Sequence, residues 1–137
     1  LLNDGKLTQE QVDMIDRKTL NEFLSTKLID RIIASQLVMR EKRFTARLKP
    51  SEVFDEYKDG KTDATVIIQG AVDLAFVEDG KLVIVDYKTD RVKDITKLAG
   101  LYKKQLDLYK SAMEQSEELT VKECILCSIH LGAYITV

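Results

Sequence analysis

Gln69-Gly70-Ala71-Val72-Asp73-Leu74-Ala75-Phe76-Val77-Glu78-Asp79-Gly80-Lys81-Leu82-Val83-Ile84-Val85-Asp86-Tyr87-Lys88 is the stretch on which the fold turns. Asp79-Gly80 is a strong signal for a tight type I′ turn, because both central positions of that turn need positive φ. The flanks, Ala64 to Val77 and Leu82 to Lys88, are rich in β-branched residues, whose side chains suit a pleated surface. Such a turn fixes the register: Val77 faces Leu82, Ala75 faces Ile84 and Asp73 faces Asp86. Alternation then places Lys88 on the same face as these acids. The opposite face takes Val72, Leu74 and Phe76 against Val83, Val85 and Tyr87. Both faces are apolar, so the hairpin is expected at the centre of a sheet covered on either side.

Against that apolar background, the facing carboxylates Asp73 and Asp86 stand out. Directly opposed side chains lie roughly 5 Å apart. Partly desolvated acids at that separation repel unless one holds a proton or a cation lies between them. Magnesium suits the position, since it takes one or two protein carboxylates and completes its shell with water and phosphate oxygens. There it would polarise a phosphodiester and acidify water, with the Lys88 ammonium orienting that water or stabilising charge on phosphorus. The alternative is a structural Asp–Lys salt bridge at the sheet end, with Asp73 capping a loop. The second acid, brought opposite by the turn, favours the metal site.

Outward from the hairpin, the chain reads as helices, strand, strand, strand, helix, strand, strand. Thr8-Gln9-Glu10-Gln11 resembles a capping box. Apolar residues follow at helical spacing, with Val12 and Ile15 and later Leu20, Phe23 and Leu24. A second short helix is expected from Thr26 to Ser35, with Leu28, Ile29, Ile32 and Ile33 inward. Residues 8–36 therefore form a packing layer without a catalytic pattern. From Val38, and through Arg40 to Leu48, the imperfect alternation is that of an edge strand, which the sole proline, Pro50, ends. Asp59-Gly60-Lys61 marks a loop. A helix from about Thr96 to Gln115 carries Leu98, Leu101, Tyr102, Leu108, Tyr109 and Ala112 on one apolar face, with Gln105 in its middle. A buried strand around Cys124 and Cys127 and a last strand, Ala133 to Val137, complete one α/β domain spanning residues 1–137, with its core at 38–137.

Composition sets the outer limits. Of the 137 residues, 45% are hydrophobic and 32% charged, the balance of a globular domain. No apolar run approaches the roughly 18 residues of a membrane span, so no membrane association is expected. A net charge of -2 argues against tight autonomous binding to nucleic acid, although an enzyme can borrow affinity from a neighbouring domain. Cys124 and Cys127 have C-x-x-C spacing but no further pair to complete a zinc or iron–sulfur site, and are expected to be reduced core residues of a cytosolic protein. The start at Leu1, with no methionine and no signal-peptide pattern, suggests a piece of a longer polypeptide.

Three ordered motifs carry a resemblance across most of the chain: Gln69-Gly70-Ala71-Val72-Asp73, then Val83-Ile84-Val85-Asp86-Tyr87-Lys88-Thr89, then Gln105-Leu106-Asp107-Leu108-Tyr109. They resemble the G-x-x-D, D-Y-K-T and Q-x-x-x-Y series of RecB-type nucleases in the PD-(D/E)XK superfamily, and most of all the C-terminal nuclease domains of the AddA/RexA type found in helicase–nucleases. The resemblance implies a restriction-endonuclease-like core, a mixed central β-sheet flanked by helices. It implies Asp73 and Asp86 as metal-ligating acids, the Tyr87 backbone carbonyl as a further ligand, and Lys88 as the catalytic lysine. Gln105 and Tyr109 would shape the site or engage DNA. The expected activity is magnesium-dependent DNA exonuclease, with manganese able to substitute, on single strands or ends. The expected setting is an AddAB/RexAB-type complex of double-strand-break repair in the bacterial cytoplasm. Its partner subunit would be of the AddB/RexB type, and ATP would be used only by the helicase portion. RecB-type nucleases also carry a histidine ligand on an upstream helix. The only histidine here, His130, lies outside that motif order and is expected at the surface, so the ligand is expected ahead of Leu1. Asp90, Arg91 and Lys93 could touch phosphates or form a solvated loop, and Lys103, Lys104 and Lys110 are expected to solubilise the helix. The competing readings are an inactive DNA-binding or assembly module of the same fold, and an unrelated α/β protein with structural salt bridges.

Overall fold

The computed structural model describes residues 17–57 and 63–137. The elements run α1 (Arg17–Leu24), α2 (Lys27–Ala34), β1 (Val38–Leu48), a short α3 (Pro50–Val53) with a 3-10 turn (Asp55–Tyr57), β2 (Val66–Glu78), β3 (Lys81–Lys88), α4 (Ile95–Glu117), β4 (Val121–Ser128) and β5 (Ala133–Thr136). The strands and the longer helices follow the expected order, with β1 at an edge as expected, while α3 and the 3-10 turn were not foreseen between β1 and β2. The cap at Thr8, the inward positions Val12 and Ile15, the side chain of Leu20 and the loop at Asp59-Gly60-Lys61 lie outside the described residues.

The strands form one five-stranded sheet in sequence order, β1-β2-β3-β4-β5. All neighbours are antiparallel except β3 and β4. A parallel pair needs a long crossover, and α4 supplies it. The β2–β3 turn falls at Asp79-Gly80, both with positive φ (53° and 71°), and the register Val77↔Leu82 and Ala75↔Ile84 is the expected one.

The sheet is covered on each face, as a doubly apolar hairpin requires. Under α4 lie Phe44, Ala46, Leu48, Val72, Ala75, Leu82, Ile84, Leu126 and Cys124, packed on Leu98, Leu106, Ala112 and Met113 of the helix. On the other face, Leu74, Phe76, Val83, Val85, Ile125 and Cys127 meet Leu28 of α2 with Phe23 and Ile32 beside it. Arg31 fastens α2 to the sheet: its guanidinium donates to both carboxylate oxygens of Glu78 (2.9 and 2.8 Å), pairs with Glu123 and lies over the Phe76 ring. The two inward faces differ in part from expectation. Leu24 and Ile33 are largely exposed (52% and 76%), because among the described apolar residues of these two short helices it is Phe23, Leu28 and Ile32 that pack on the sheet. On α4, Leu101 is 67% exposed while Leu106 is buried, since the stripe that meets the sheet runs through Leu98, Tyr102, Leu106, Tyr109 and Met113.

Cys124 and Cys127 are free and buried. Their spacing on a strand puts them on opposite faces, Cys124 beneath α4 and Cys127 on the α2 side. They cannot share a ligand, and burial pushes their thiols up to about 11 and about 12.

Candidate active site

The β2–β3 ladder stops at Leu74↔Val85. Beyond it, β2 continues paired only with β1, while Asp86, Tyr87 and Lys88 pair only with Leu126, Cys127 and Ser128 of β4. The strands therefore fork, and the candidate residues stand at the fork.

Asp73 sits at the point where β2 leaves regular alternation. The β1–β2 ladder skips Glu41, which has φ of 49°, an uncommon conformation for a side chain with a Cβ. Side chains change faces there on both strands: Met39 and Ala75 pack beneath α4 on one side of the break, Phe44 and Val72 on the other. Val72, expected beside Leu74 and Phe76, is thus on the α4 face. The expected Asp73–Asp86 backbone pair is likewise absent from the ladder. Instead the Asp73 carboxylate accepts the Tyr87 backbone N–H at 2.8 Å, in place of the backbone carbonyl that a continuing β2 would have offered.

The side chains of Asp73 and Asp86 nevertheless meet. Asp86 is 5% exposed, and its carboxyl is pushed up to about 6. Burial is the main cause and a hydrogen bond with the Asp73 carboxyl the second, while Lys88 pulls the other way. The Lys88 Nζ lies 2.9 Å from Asp86 Oδ2, but this ion pair lacks hydrogen-bond alignment, so Asp86 Oδ2 is buried without a hydrogen-bond donor.

A run of contacts extends from Lys88 into α4. Lys88 Nζ donates to Gln105 Oε1 at 2.9 Å and lies 4.0 Å from the centre of the Tyr102 ring. Gln105 Nε2 donates to the Tyr109 hydroxyl at 3.2 Å. The Tyr109 ring meets Phe44 edge-on at 5.6 Å, and its hydroxyl is shifted up by burial first, then by Asp86 and Asp73. Phe44 in turn covers Gly70, where a Cβ would stand 2.7 Å from the end of the Phe44 ring. The glycine, lysine, glutamine and tyrosine of the sequence motifs are therefore joined by contact.

Among the predicted site residues, the structure brings together Asp73, Asp86, Lys88, Gln105 and Tyr109. His130 is exposed in the β4–β5 turn. Lys103 and Lys104 are exposed (63% and 64%), as is Lys110, while Arg91 and Lys93 project to solvent. Asp90 has another role: it accepts the Tyr102 hydroxyl at 2.9 and 3.1 Å. Sequence reasoning missed Phe44 and Tyr102 because each also reads as ordinary apolar packing. The signal available was that Tyr102 precedes Gln105 by one helical turn, which puts both on the same face.

Among the described residues, no group of three or more His, Cys, Asp or Glu side chains could hold a metal. An acid pair with an orphaned oxygen fits a hard cation that takes one or two carboxylates and otherwise water and phosphate.

The profile of the PD-(D/E)XK nuclease superfamily matches residues 3–133. The chain is similar to an ATP-dependent helicase/nuclease subunit of Clostridium acetobutylicum, with 31% identity over 133 residues, covering 96% of this chain and 11% of that protein. The same-named protein of Clostridium botulinum (strain 657) is 33% identical over 136 residues, 96% of this chain and 10% of that protein. That of Bacillus cereus (strain ATCC 14579) is 32% identical over 134 residues, 90% and 11%. The chain thus spans about a tenth of the length of the curated relatives it matches.

Proposed function

The chain belongs to the PD-(D/E)XK nuclease superfamily, and from that premise we propose that it is the magnesium-dependent DNA exonuclease domain of an AddAB/RexAB-type helicase–nuclease. The observation that carries this is Asp86: a buried carboxylate, raised by burial and by Asp73, with an oxygen that no donor satisfies. Membership of the family removes the reading of an unrelated α/β protein.

In this reading Asp73 and Asp86 hold the cation. The Tyr87 carbonyl joins them: within a strand a residue's N–H and C=O point to the same side, and the Tyr87 N–H is directed at Asp73. The bound metal supplies Lewis-acid polarisation of the phosphodiester and acidifies the attacking water. Cation binding would relieve the repulsion between the acids and satisfy Asp86 Oδ2. Lys88, loosened from Asp86, would keep its bond to Gln105 and present its charge to the attacking water or the phosphate. Gln105, braced by Tyr109, Phe44 and Gly70, sets the direction of that ammonium. Single strands or ends of DNA are the proposed substrate, delivered by a helicase motor with an AddB/RexB-type partner subunit in the bacterial cytoplasm. Among the described residues no helix is long and apolar enough to cross a membrane. Manganese would substitute for magnesium, and ATP would be used only by the motor.

The test is degradation of end-labelled single-stranded DNA with magnesium, with manganese or with chelator. The expected result is metal-dependent shortening by the wild type and at least about a 100-fold loss in Asp73→Asn, Asp86→Asn and Lys88→Ala, the scale on which positioned charge acts in catalysis. Equal rates in all four proteins would contradict the proposal. Metal-dependent binding of DNA without cleavage would favour the other member of this fold class, an inactive binding or assembly module.

A further inference from the structure

Lys88 is held from three directions: an ion pair with Asp86 at 2.9 Å, a hydrogen bond to Gln105 at 2.9 Å, and the face of the Tyr102 ring at 4.0 Å. A lysine stem carries enough rotamer freedom that its charge is placed only where several contacts converge on it. The first two partners belong to the sequence motifs. The ring belongs to none of them.

Tyr102 is in turn fixed at its far end. Its hydroxyl donates to both carboxylate oxygens of Asp90, at 2.9 and 3.1 Å. Asp90 stands in the segment that leaves β3, and Tyr102 stands in the second turn of α4. The pair ties the exit of the catalytic strand to the helix that covers it. The Asp90 bond is also the leading reason that the Tyr102 hydroxyl is raised above its ordinary value. At its inner end the ring presents its negative face to Lys88, an arrangement worth about 0.5–2 kcal/mol depending on desolvation.

We propose that Tyr102 is a positioning residue for Lys88, with Asp90 holding its ring in place, so that the ammonium stays at the fork when Asp86 turns to a cation. This rests on the nuclease reading for its purpose, but not for its geometry. Once Asp86 engages a metal, Lys88 loses one of its three holds. Gln105 alone would leave the ammonium free to swing about that bond. The ring closes the remaining direction without offering a lone pair, so it steadies the charge without forming a competing ion pair. The hydroxyl–Asp90 bond keeps the ring from rotating about its own side-chain torsions. Tyrosine is therefore suited here where leucine would fill similar space.

The experiment follows the side-chain resonances of Lys88 in the whole chain, assigned by their loss in Lys88→Arg. In the wild type the ε-methylene protons should lie upfield of those of the exposed lysines, from the ring current of Tyr102. In Tyr102→Leu they should move to the exposed-lysine position. In Tyr102→Phe, which keeps the ring and loses the Asp90 bond, and in Asp90→Ala, a partial upfield shift should remain. Asp90→Asn keeps an acceptor and should resemble the wild type. In cleavage of single-stranded DNA, Tyr102→Leu should lower kcat by about 10- to 100-fold with little change in KM, the scale of a misplaced catalytic group. Tyr102→Phe should recover most of that loss. An unshifted Lys88 in the wild type, or an unaltered shift in Tyr102→Leu, would overturn the proposal. Should Tyr102→Leu not fold, an Asp90→Ala protein whose Lys88 signal matches the wild type overturns it equally. A shifted, Tyr102-dependent Lys88 in a wild type that cleaves no DNA would sustain the clamp and refute the nuclease reading.

Discussion

Asp86 is unstable in its own surroundings and useful for that reason. Its carboxyl stands at about 6 in the folded chain against 3.8 ordinarily, chiefly through burial and then through Asp73. Above about pH 4 the unfolded chain has released this proton while the native state still holds it, so the native state binds more protons and stability falls as pH rises. The fall continues to about pH 6 and then levels off. The fall belongs to the acid pair as one coupled system. We therefore expect metal-free wild type to lose stability to urea between these pH values, with Asp86→Asn free of most of that loss and the more stable protein at neutral pH. An amide can turn its carbonyl to Lys88 and its NH2 to Asp73, so the substitution suits the metal-free fold. Urea titrations across this range check it, and parallel curves for the two proteins would contradict it. The cost of the acid in the empty fold is what a cation would remove.

At the scale of elements, much of the arrangement was legible because hairpin chemistry is local. Asp79-Gly80 alone set the register of β2 and β3, and the structure reproduces it at Val77↔Leu82 and Ala75↔Ile84. The break at Glu41 was not legible, because a positive φ in a residue with a Cβ leaves no mark in composition or periodicity. For the same reason the fork between β2 and β3 could not be foreseen, and the arithmetic of alternation placed Val72 on the wrong face. The inward stripe of α4 reads one position off at Leu101, since a helix face is decided by where the sheet lies rather than by the sum of its apolar residues. Gly70 shows the converse: a motif letter whose reason appears only in three dimensions. Its place under the Phe44 ring predicts that Gly70→Ala, although on an exposed stretch of strand, will destabilise by about 1–3 kcal/mol through overpacking. Phe44→Leu in the same background should return part of that loss by shortening the clashing end. A calorimetric scan of the single and double variants checks both, and an unchanged melting temperature in Gly70→Ala would contradict the packing account.

The whole molecule is a sheet covered by helices on both faces, interrupted at one end by a fork lined with acids and a lysine. Its net charge of -2 supplies little attraction for phosphate, which agrees with a domain that works on DNA held by something else. The similarity to helicase/nuclease proteins roughly ten times its length gives that proposal a setting. The fork itself is where the account is most exposed, because everything proposed about activity requires a cation between Asp73 and Asp86. The direct measurement is binding of manganese to chelator-treated protein, followed by loss of the free-ion signal in electron paramagnetic resonance. Wild type should remove manganese from solution, and Asp73→Asn and Asp86→Asn, both folded by circular dichroism, should bind at least about tenfold more weakly, as loss of a charged ligand requires. Equal affinity in all three proteins would place the metal elsewhere and contradict the central claim.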